Sequence, residues 1–241
     1  MSIIVPAILP TSLQDLEKKL AALDGVADSV QIDVVDGRYV SPASWPYTPS
    51  GRADLAELAT RGESLLHGGR FELEIDLMVS EPEKAIGTWI AAGASRLVIH
   101  AESTPLLTKI FHELEHTYGH DKSFSSGILS VGLAVRAATD LALIEPYLEQ
   151  TDFVQFMGID KVGSQGQPFN PAIVQKIRTF RRKHPQMPVQ VDGGVSKATA
   201  PTLLAAGVHR LIVGSALWKA GDLAKANEEL TELAQEYGIY E

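Results

Sequence analysis

Three aspartates stand at matching places in three short alternating segments. They close Val-Gln-Ile-Asp (30–33), Glu-Ile-Asp (74–76) and Val-Gln-Val-Asp (189–192). In an extended strand alternate residues share a face. Gln31 therefore lies with Asp33, Gln190 with Asp192, and Glu72, Glu74, Asp76 and Met78 lie together. If the apolar faces pack on helices, Asp33, Asp76 and Asp192 converge. Carboxylates crowded into a narrow interior are desolvated and repel one another, which raises their pKa values. A proton, a basic side chain or a metal must compensate. Loop capping, or pairing with a basic residue such as Arg136, would account for one such acid. Three at three strand ends point to chemistry.

A second signal is for an anion. Asp192-Gly193-Gly194-Val195-Ser196 and Val213-Gly214-Ser215-Ala216 each lead from an apolar run into a helical pattern. Glycine there lets backbone N–H groups approach a phosphate, and helix N-termini favour negative charge. Gly163-Ser164-Gln165-Gly166 lies in a loop able to close over the same group.

These residues need a scaffold that gathers them. Short apolar runs alternate with amphipathic periods along the whole chain. The predicted strands are 3–9, 28–34, 71–78, 96–101, 128–135, 153–157, 189–191 and 210–213. The predicted helices are 13–23, 54–66, 82–92, 105–118, 139–148, 171–183, 197–206 and 223–237. Strict alternation implies a parallel sheet, and eight units in 241 residues match a single-domain (β/α)8 TIM barrel over residues 1–241. A doubly wound open sheet is the runner-up, but it would carry a Gly-rich first turn, where Pro10-Thr11-Ser12 stands. In a barrel, the loops 36–52 and 158–170 both follow strands and lie on the active face.

Composition narrows the function. The net charge is −9, which argues against nucleic-acid binding by a general basic surface. There are no cysteines, so thiol nucleophiles, Cys-zinc sites and iron–sulfur clusters are excluded. No apolar run reaches membrane-spanning length, and the first residues lack signal-peptide character. A cytoplasmic protein with a small anionic partner is expected.

The order of these motifs resembles the ribulose-phosphate 3-epimerase family. The resemblance is carried by Pro6-Ala7-Ile8-Leu9, Ile32 to Val40, Asp76 to Pro82, Ile99-His100-Ala101-Glu102, Val191 to Val195 and Val213 to Ala216. It implies a metal-dependent (β/α)8 barrel acting on a sugar phosphate. It implies that Asp33 and Asp192 are an acid–base pair exchanging the C3 proton through an enediolate. It puts Met78 and Met157 beside the reacting carbons, phosphate on Gly193, Gly194, Gly214 and Ser215, and suggests a homo-oligomer.

The departures are specific. The two histidines that complete the family's metal set fall on Gln31 and Asp76, and Gln190 replaces a glutamate. Arg136-Ala137 stands for Asn-Pro, and 160–166 replaces a shorter glycine-rich loop. A set of Gln31, Asp33, Asp76 and Asp192 would be all-oxygen, which suits Mg²⁺ or Mn²⁺ over Zn²⁺. The other reading of the site is metal-free, with Arg136 or Lys161 offsetting charge. Two rival functions stand beside the epimerase. One is a Mg²⁺-dependent sugar-phosphate lyase using Glu74 and Asp76, against which the third strand lacks an Asp-x-Lys pair. The other is a non-catalytic or regulatory phosphosugar-binding barrel. His100, at the end of the fourth strand, contacts substrate or is structural. His67, His112, His116, His120, His184 and His209 read as surface residues. Trp45 and Tyr47 read as a lid or a dimer contact.

Overall fold

Each apolar run bounded by turn residues becomes a strand: β1 (Ile4–Ile8), β2 (Ser29–Val35), β3 (Glu72–Met78), β4 (Arg96–His100), β5 (Ser130–Val135), β6 (Phe153–Met157), β7 (Val189–Asp192) and β8 (Arg210–Val213). A computed structural model describes residues 3–61, 70–120 and 129–238. The strands pair in chain order, all parallel, and β8 returns to β1 to close the barrel. The helices are α1 (Leu13–Ala22), α2 (Gly51–Arg61), α3 (Pro82–Ala91), α4 (Leu107–Tyr118), α5 (Ala172–Lys183), α6 (Ala200–Leu204), α7 (Ser215–Trp218) and α8 (Leu223–Tyr237). Among the described residues, no helix is long and apolar enough to cross a membrane.

Local chemistry sets several of these boundaries. The Ser12 hydroxyl accepts from the Asp15 N–H and opens α1, and Asp222 does the same for Lys225 at α8, each satisfying a donor that the first helical turn leaves free. Pro82 occupies the first turn of α3, where its missing N–H costs nothing.

The helix expected over 139–148 is instead two short 3-10 turns, Leu141–Leu143 and Glu145–Tyr147. Asp140 caps the first turn, and Pro146 within the second has no N–H to continue an α-helical ladder. The helix expected over 197–206 shrinks to α6. The end of the second predicted helix at Leu66, the strand start at Ile128 and His67 lie outside the described residues.

Alternation divides the barrel as the sequence suggests. Ile32, Val34, Ile75, Leu77, Val154, Phe156, Val191 and Leu211 join the large core between strands and helices. Val5, Ala7, Val35, Met78, Val98, Ala134, Phe153, Met157 and Ile212 form smaller apolar groups inside. The remaining inward positions are polar and buried: Ser29, Gln31, Asp33, Glu74, Asp76, Arg96, His100, Gln155, Gln190, Asp192 and Arg210. Gly132 on β5 is required by packing, because a Cβ there would lie 2.2 Å from the Phe153 ring. That ring in turn carries the Arg96 guanidinium 4.1 Å from its centre.

Two surface readings are corrected. His120 is buried, its Nε2 2.8 Å from Asp152 Oδ2. Trp45 is neither lid nor dimer contact. It is fully buried against Trp89 and donates from Nε1 to Asp54 at 3.0 Å, so its ring belongs to the core and its polar edge is satisfied. His112 and His116 do stack on each other on α4, with ring centres 4.1 Å apart, and His209 is exposed.

Candidate active site

Parallel register brings the acids together. Asp33 pairs in register with Asp76 across β2 and β3, and β7 delivers Asp192 from the other side of the barrel. One carboxylate oxygen from each of the three lies within 4.8 Å of the others. Gln31 Nε2 donates to Asp33 Oδ1 at 2.8 Å and to Asp192 Oδ2 at 3.2 Å, bridging the pair. Asp76 is held separately, with His100 Nε2 3.0 Å from Oδ1 and Gln155 Nε2 donating to Oδ2 at 3.0 Å.

No guanidinium or ammonium is among these partners. Burial, then the charges of Asp192 and Asp76, push Asp33 well above the usual carboxylate range. Burial and then the Asp76 charge raise Asp192 to about 7. Burial opposes protonation of His100, but the charge and hydrogen bond of Asp76 together with the charges of Glu102 and Asp192 outweigh it, and the imidazole is raised above its ordinary value. Arg136 does not offset the three acids. Its Nε lies 3.7 Å from Glu102 and its guanidinium sits 5.7 Å from the Tyr39 ring. Lys161 is exposed.

Asp33, Met78, Met157 and Asp192 line one pocket with Gly163, Ser164, Gly193, Gly194, Gly214 and Ser215. The two acids, the two methionines and every glycine and serine expected at the phosphate thus meet. Gln31, Asp76 and His100 do not line that pocket and are fully buried. Gly193 and Gly194 have φ of 95° and 68°, a region costly for other residues. A Cβ on Gly193 would come within 2.7 Å of Ile159, and one on Gly194 within 2.8 Å of Phe169. The β6–α5 loop crosses this end, where Gln165 Nε2 donates to the Ala7 carbonyl at 3.2 Å, and Trp218 Nε1 to the same oxygen at 2.7 Å.

Sequence reasoning missed Gln155, Tyr39 and Lys219. Gln155 was findable by alternation, since Phe153, Gln155 and Met157 share a strand face. Tyr39 comes from the β2–α2 loop. Its ring centre is 5.5 Å from that of His100 and its hydroxyl 3.3 Å from Glu102 Oε2. Asp36 fixes that turn by accepting from the Arg38 and Tyr39 N–H groups. Lys219 Nζ would be 3.2 Å from a Cβ on Gly166, which puts an ammonium beside the loop that covers the glycines.

The residues present fit a hard divalent cation. The donor set is all oxygen, and Gln31 Oε1 is buried without a hydrogen-bond partner. A half-turn of that amide exchanges the nitrogen facing Asp33 and Asp192 for this oxygen. Zinc sites usually include nitrogen or sulfur ligands, and His100 Nε2 is engaged with Asp76.

The comparisons agree with this architecture. A solved structure of KGPDC from Streptococcus mutans superposes with TM-score 0.68 at 12% identity, covering 97% of each chain. One of 3-hexulose-6-phosphate synthase from Salmonella typhimurium superposes with TM-score 0.66 at 16% identity, covering 98% of this chain and 100% of that one. These show the fold. Sequence relatives are closer. Ribulose-phosphate 3-epimerase of Bacillus subtilis is 30% identical over 229 residues, 93% of this chain and 92% of its own. The Schizosaccharomyces pombe enzyme of the same name is 31% identical over 218 residues, 90% and 87% of the two chains. A family description, "Ribulose-phosphate 3 epimerase family", matches residues 3–218, and the chain therefore belongs to the ribulose-phosphate 3-epimerase family and, with it, to the isomerases.

Proposed function

We propose that this protein epimerises a ketose phosphate at C3 by two-base proton transfer between Asp33 and Asp192. The observation that carries this reading is the placement of those two acids. They come from separate sides of the barrel, are bridged by the Gln31 amide, and share one pocket with the glycines of the β7 and β8 loops. Phosphate on the backbone N–H groups of Gly193, Gly194, Gly214 and Ser215 would lay the sugar between the carboxylates.

The raised pKa values suit the task, because a carboxylate matches a carbon acid only when its basicity is increased. With both acids raised, one member of the pair can act as the base while the other holds the proton. The ionised member removes the C3 proton, and the C–H electron pair moves into a C2–C3 double bond as the C2 carbonyl oxygen gains charge. The protonated member then gives its proton to C3 from the opposite face. The net proton count is unchanged, and the pair ends in the reverse protonation state. Met78 and Met157, both buried, wall the reacting carbons with apolar, polarizable groups that exclude water.

A divalent cation, Mg²⁺ or Mn²⁺ ahead of Zn²⁺, would be held by Asp33, Asp76, Asp192 and the Gln31 oxygen. When bound, such an ion supplies positive charge for the enediolate oxygens. A regulatory phosphosugar-binding barrel is disfavoured because unpaired buried acids cost stability and binding alone does not require them. The lyase reading loses its Glu74–Asp76 site, because Glu74 is committed to Arg96 at 2.6 Å and Arg210 at 3.4 Å. The test is NMR of ribulose 5-phosphate with the protein in D₂O, chelated and then supplied with Mg²⁺, Mn²⁺ or Zn²⁺. Deuterium entering C3 is expected, fastest with Mg²⁺ or Mn²⁺. No exchange under any condition would overturn the reading for this sugar.

A further inference from the structure

Between the acids at the mouth and the charges at the floor of the barrel runs an unbroken chain of amides whose orientation is dictated from below. Glu74 is fully buried and can only accept. Its Oε2 takes Arg96 Nε and Arg210 Nη1, and its Oε1 takes Gln190 Nε2 at 2.8 Å. That contact sets which end of the Gln190 amide points where. Its nitrogen must face Glu74, and its oxygen faces Arg96 Nη2 at 3.5 Å. The same nitrogen donates to Gln155 Oε1 at 2.7 Å, so the Gln155 oxygen is used as an acceptor. The Gln155 nitrogen is thereby turned upward, to Asp76 Oδ2 at 3.0 Å and Met157 Sδ at 3.4 Å.

Neither amide can rotate alone. A flipped Gln155 would set oxygen against the Asp76 carboxylate and its NH₂ against the Gln190 NH₂. A flipped Gln190 would set oxygen against Glu74. Buried polar networks of this kind have one satisfied arrangement, and a half-satisfied one is costly. Asp76, bonded on its other oxygen by His100, is therefore held in a single orientation beside Asp33 and Asp192.

We infer that Gln190 and Gln155 form an amide relay, anchored on Glu74 and Arg96, that orients Asp76 within the acidic triad; both are positioning residues. The effect on catalysis rests on the epimerase reading, whereas the relay itself does not.

The test has two arms. In ¹⁵N-labelled protein without substrate, the Gln155 side-chain amide signals are identified by their loss in Gln155→Leu. Gln190→Glu puts an acceptor where the donor was, so Gln155 Oε1 loses its partner and faces a carboxylate, and the Gln155 amide signals must move. Gln190→Met, which removes the donor without adding charge, likewise strips Gln155 Oε1 of its partner and must move the same signals should Gln190→Glu not fold. Unmoved Gln155 signals in a folded Gln190 variant would overturn the relay.

In the kinetic arm, Gln155→Leu and Gln190→Glu should each lower kcat by about tenfold, in the range for residues that orient a reacting group from behind. The KM for ribulose 5-phosphate should stay within about twofold, as expected when ground-state binding is untouched. The double variant should be no slower than Gln155→Leu alone, since the lower amide acts only through the upper one. Multiplying effects, or a loss carried by KM, would overturn the relay as a positioning device. Absence of C3 exchange in the unaltered protein overturns the epimerase reading instead, and leaves the amide signals to decide the relay.

Discussion

Two sets of acids inside the same barrel are treated in opposite ways. At the floor, the buried Glu74 is paired with Arg96 and Arg210, and below it the part-exposed Glu72 takes Arg210 Nη2 at 3.5 Å and the Ser29 hydroxyl at 2.7 Å. At the mouth, Asp33, Asp76 and Asp192 are as secluded, yet the side chains bonded to them are two amides and an imidazole. A buried acid with guanidinium partners is structural. Without one, Asp33 is raised well above the usual carboxylate range and Asp192 to about 7, which suits proton exchange. The difference lies in which residues come two positions further along the same strands, since β2 and β3 contribute to both layers.

The largest predicted contrast is in rate. Asp33→Asn should cut C3 deuterium exchange by roughly 10³-fold, the order expected for losing a general base, with the fold retained. Exchange within about tenfold of the unaltered protein, measured by NMR in D₂O, would remove Asp33 from the pair. At the floor the same kind of lesion should strike stability. Arg96→Met leaves Glu74 buried with a weaker partner, and should cost ~3 kcal/mol in urea unfolding, at the low end for breaking a buried pair because Arg210 remains. A loss below ~1 kcal/mol would mean that the floor charges are not the structural set.

Stability against pH separates the layers further. Asp192 rises from 3.8 to about 7 in the folded protein, so the native state holds a proton that the unfolded chain has released between those values. That contribution is fully present below 3.8 and lost as pH rises through about 7. His100, also raised, loses its contribution in the same direction. Glu102 and Asp36 are lowered, so theirs is lost only as pH falls below the ordinary carboxylate range. Chelated protein should therefore melt at a lower temperature at pH 8 than at pH 6. Asp192→Asn should reduce that difference and raise the melting temperature at pH 8. A higher melting temperature at pH 8 in the unaltered protein would contradict the raised values.

Much of this is legible in the amino-acid sequence. Period-two alternation placed Asp33, Asp76 and Asp192 inward, and glycine after β7 and β8 marked the phosphate end. What escaped depends on partners distant in sequence. Gln155 acquires meaning only when Gln190 and Glu74 are laid beneath it. His120 reads as a surface residue until Asp152 meets it, and Trp45 as a lid until Trp89 packs on it. The 139–148 segment has apolar spacing fit for a helix, but Asp140 capping a tighter turn and Pro146 prevent it. Gln31 is intermediate. Its place beside Asp33 was readable, whereas its span to Asp192 needed β2 and β7 to face each other across the barrel.

The smallest predicted effect sits at the far edge of the floor. Ser29 is 2% exposed and donates to Glu72 Oε2 at 2.7 Å, in a network that reaches Asp76 only through Arg210, Glu74, Gln190 and Gln155. Ser29→Ala removes one donor to an acid that keeps its guanidinium partner and part of its hydration. The cost should be ~1 kcal/mol, the usual worth of one such hydrogen bond. Because Glu74 keeps both of its guanidinium partners, the amides above it should not turn, and the C3 exchange rate should stay within about twofold of the unaltered value. Urea unfolding and the D₂O exchange assay on one preparation check both halves. A stability loss without a rate loss marks the boundary between the two layers. A rate loss of tenfold or more would show that the floor and mouth respond as one network, and the contrast between paired and unpaired acids would have to be redrawn.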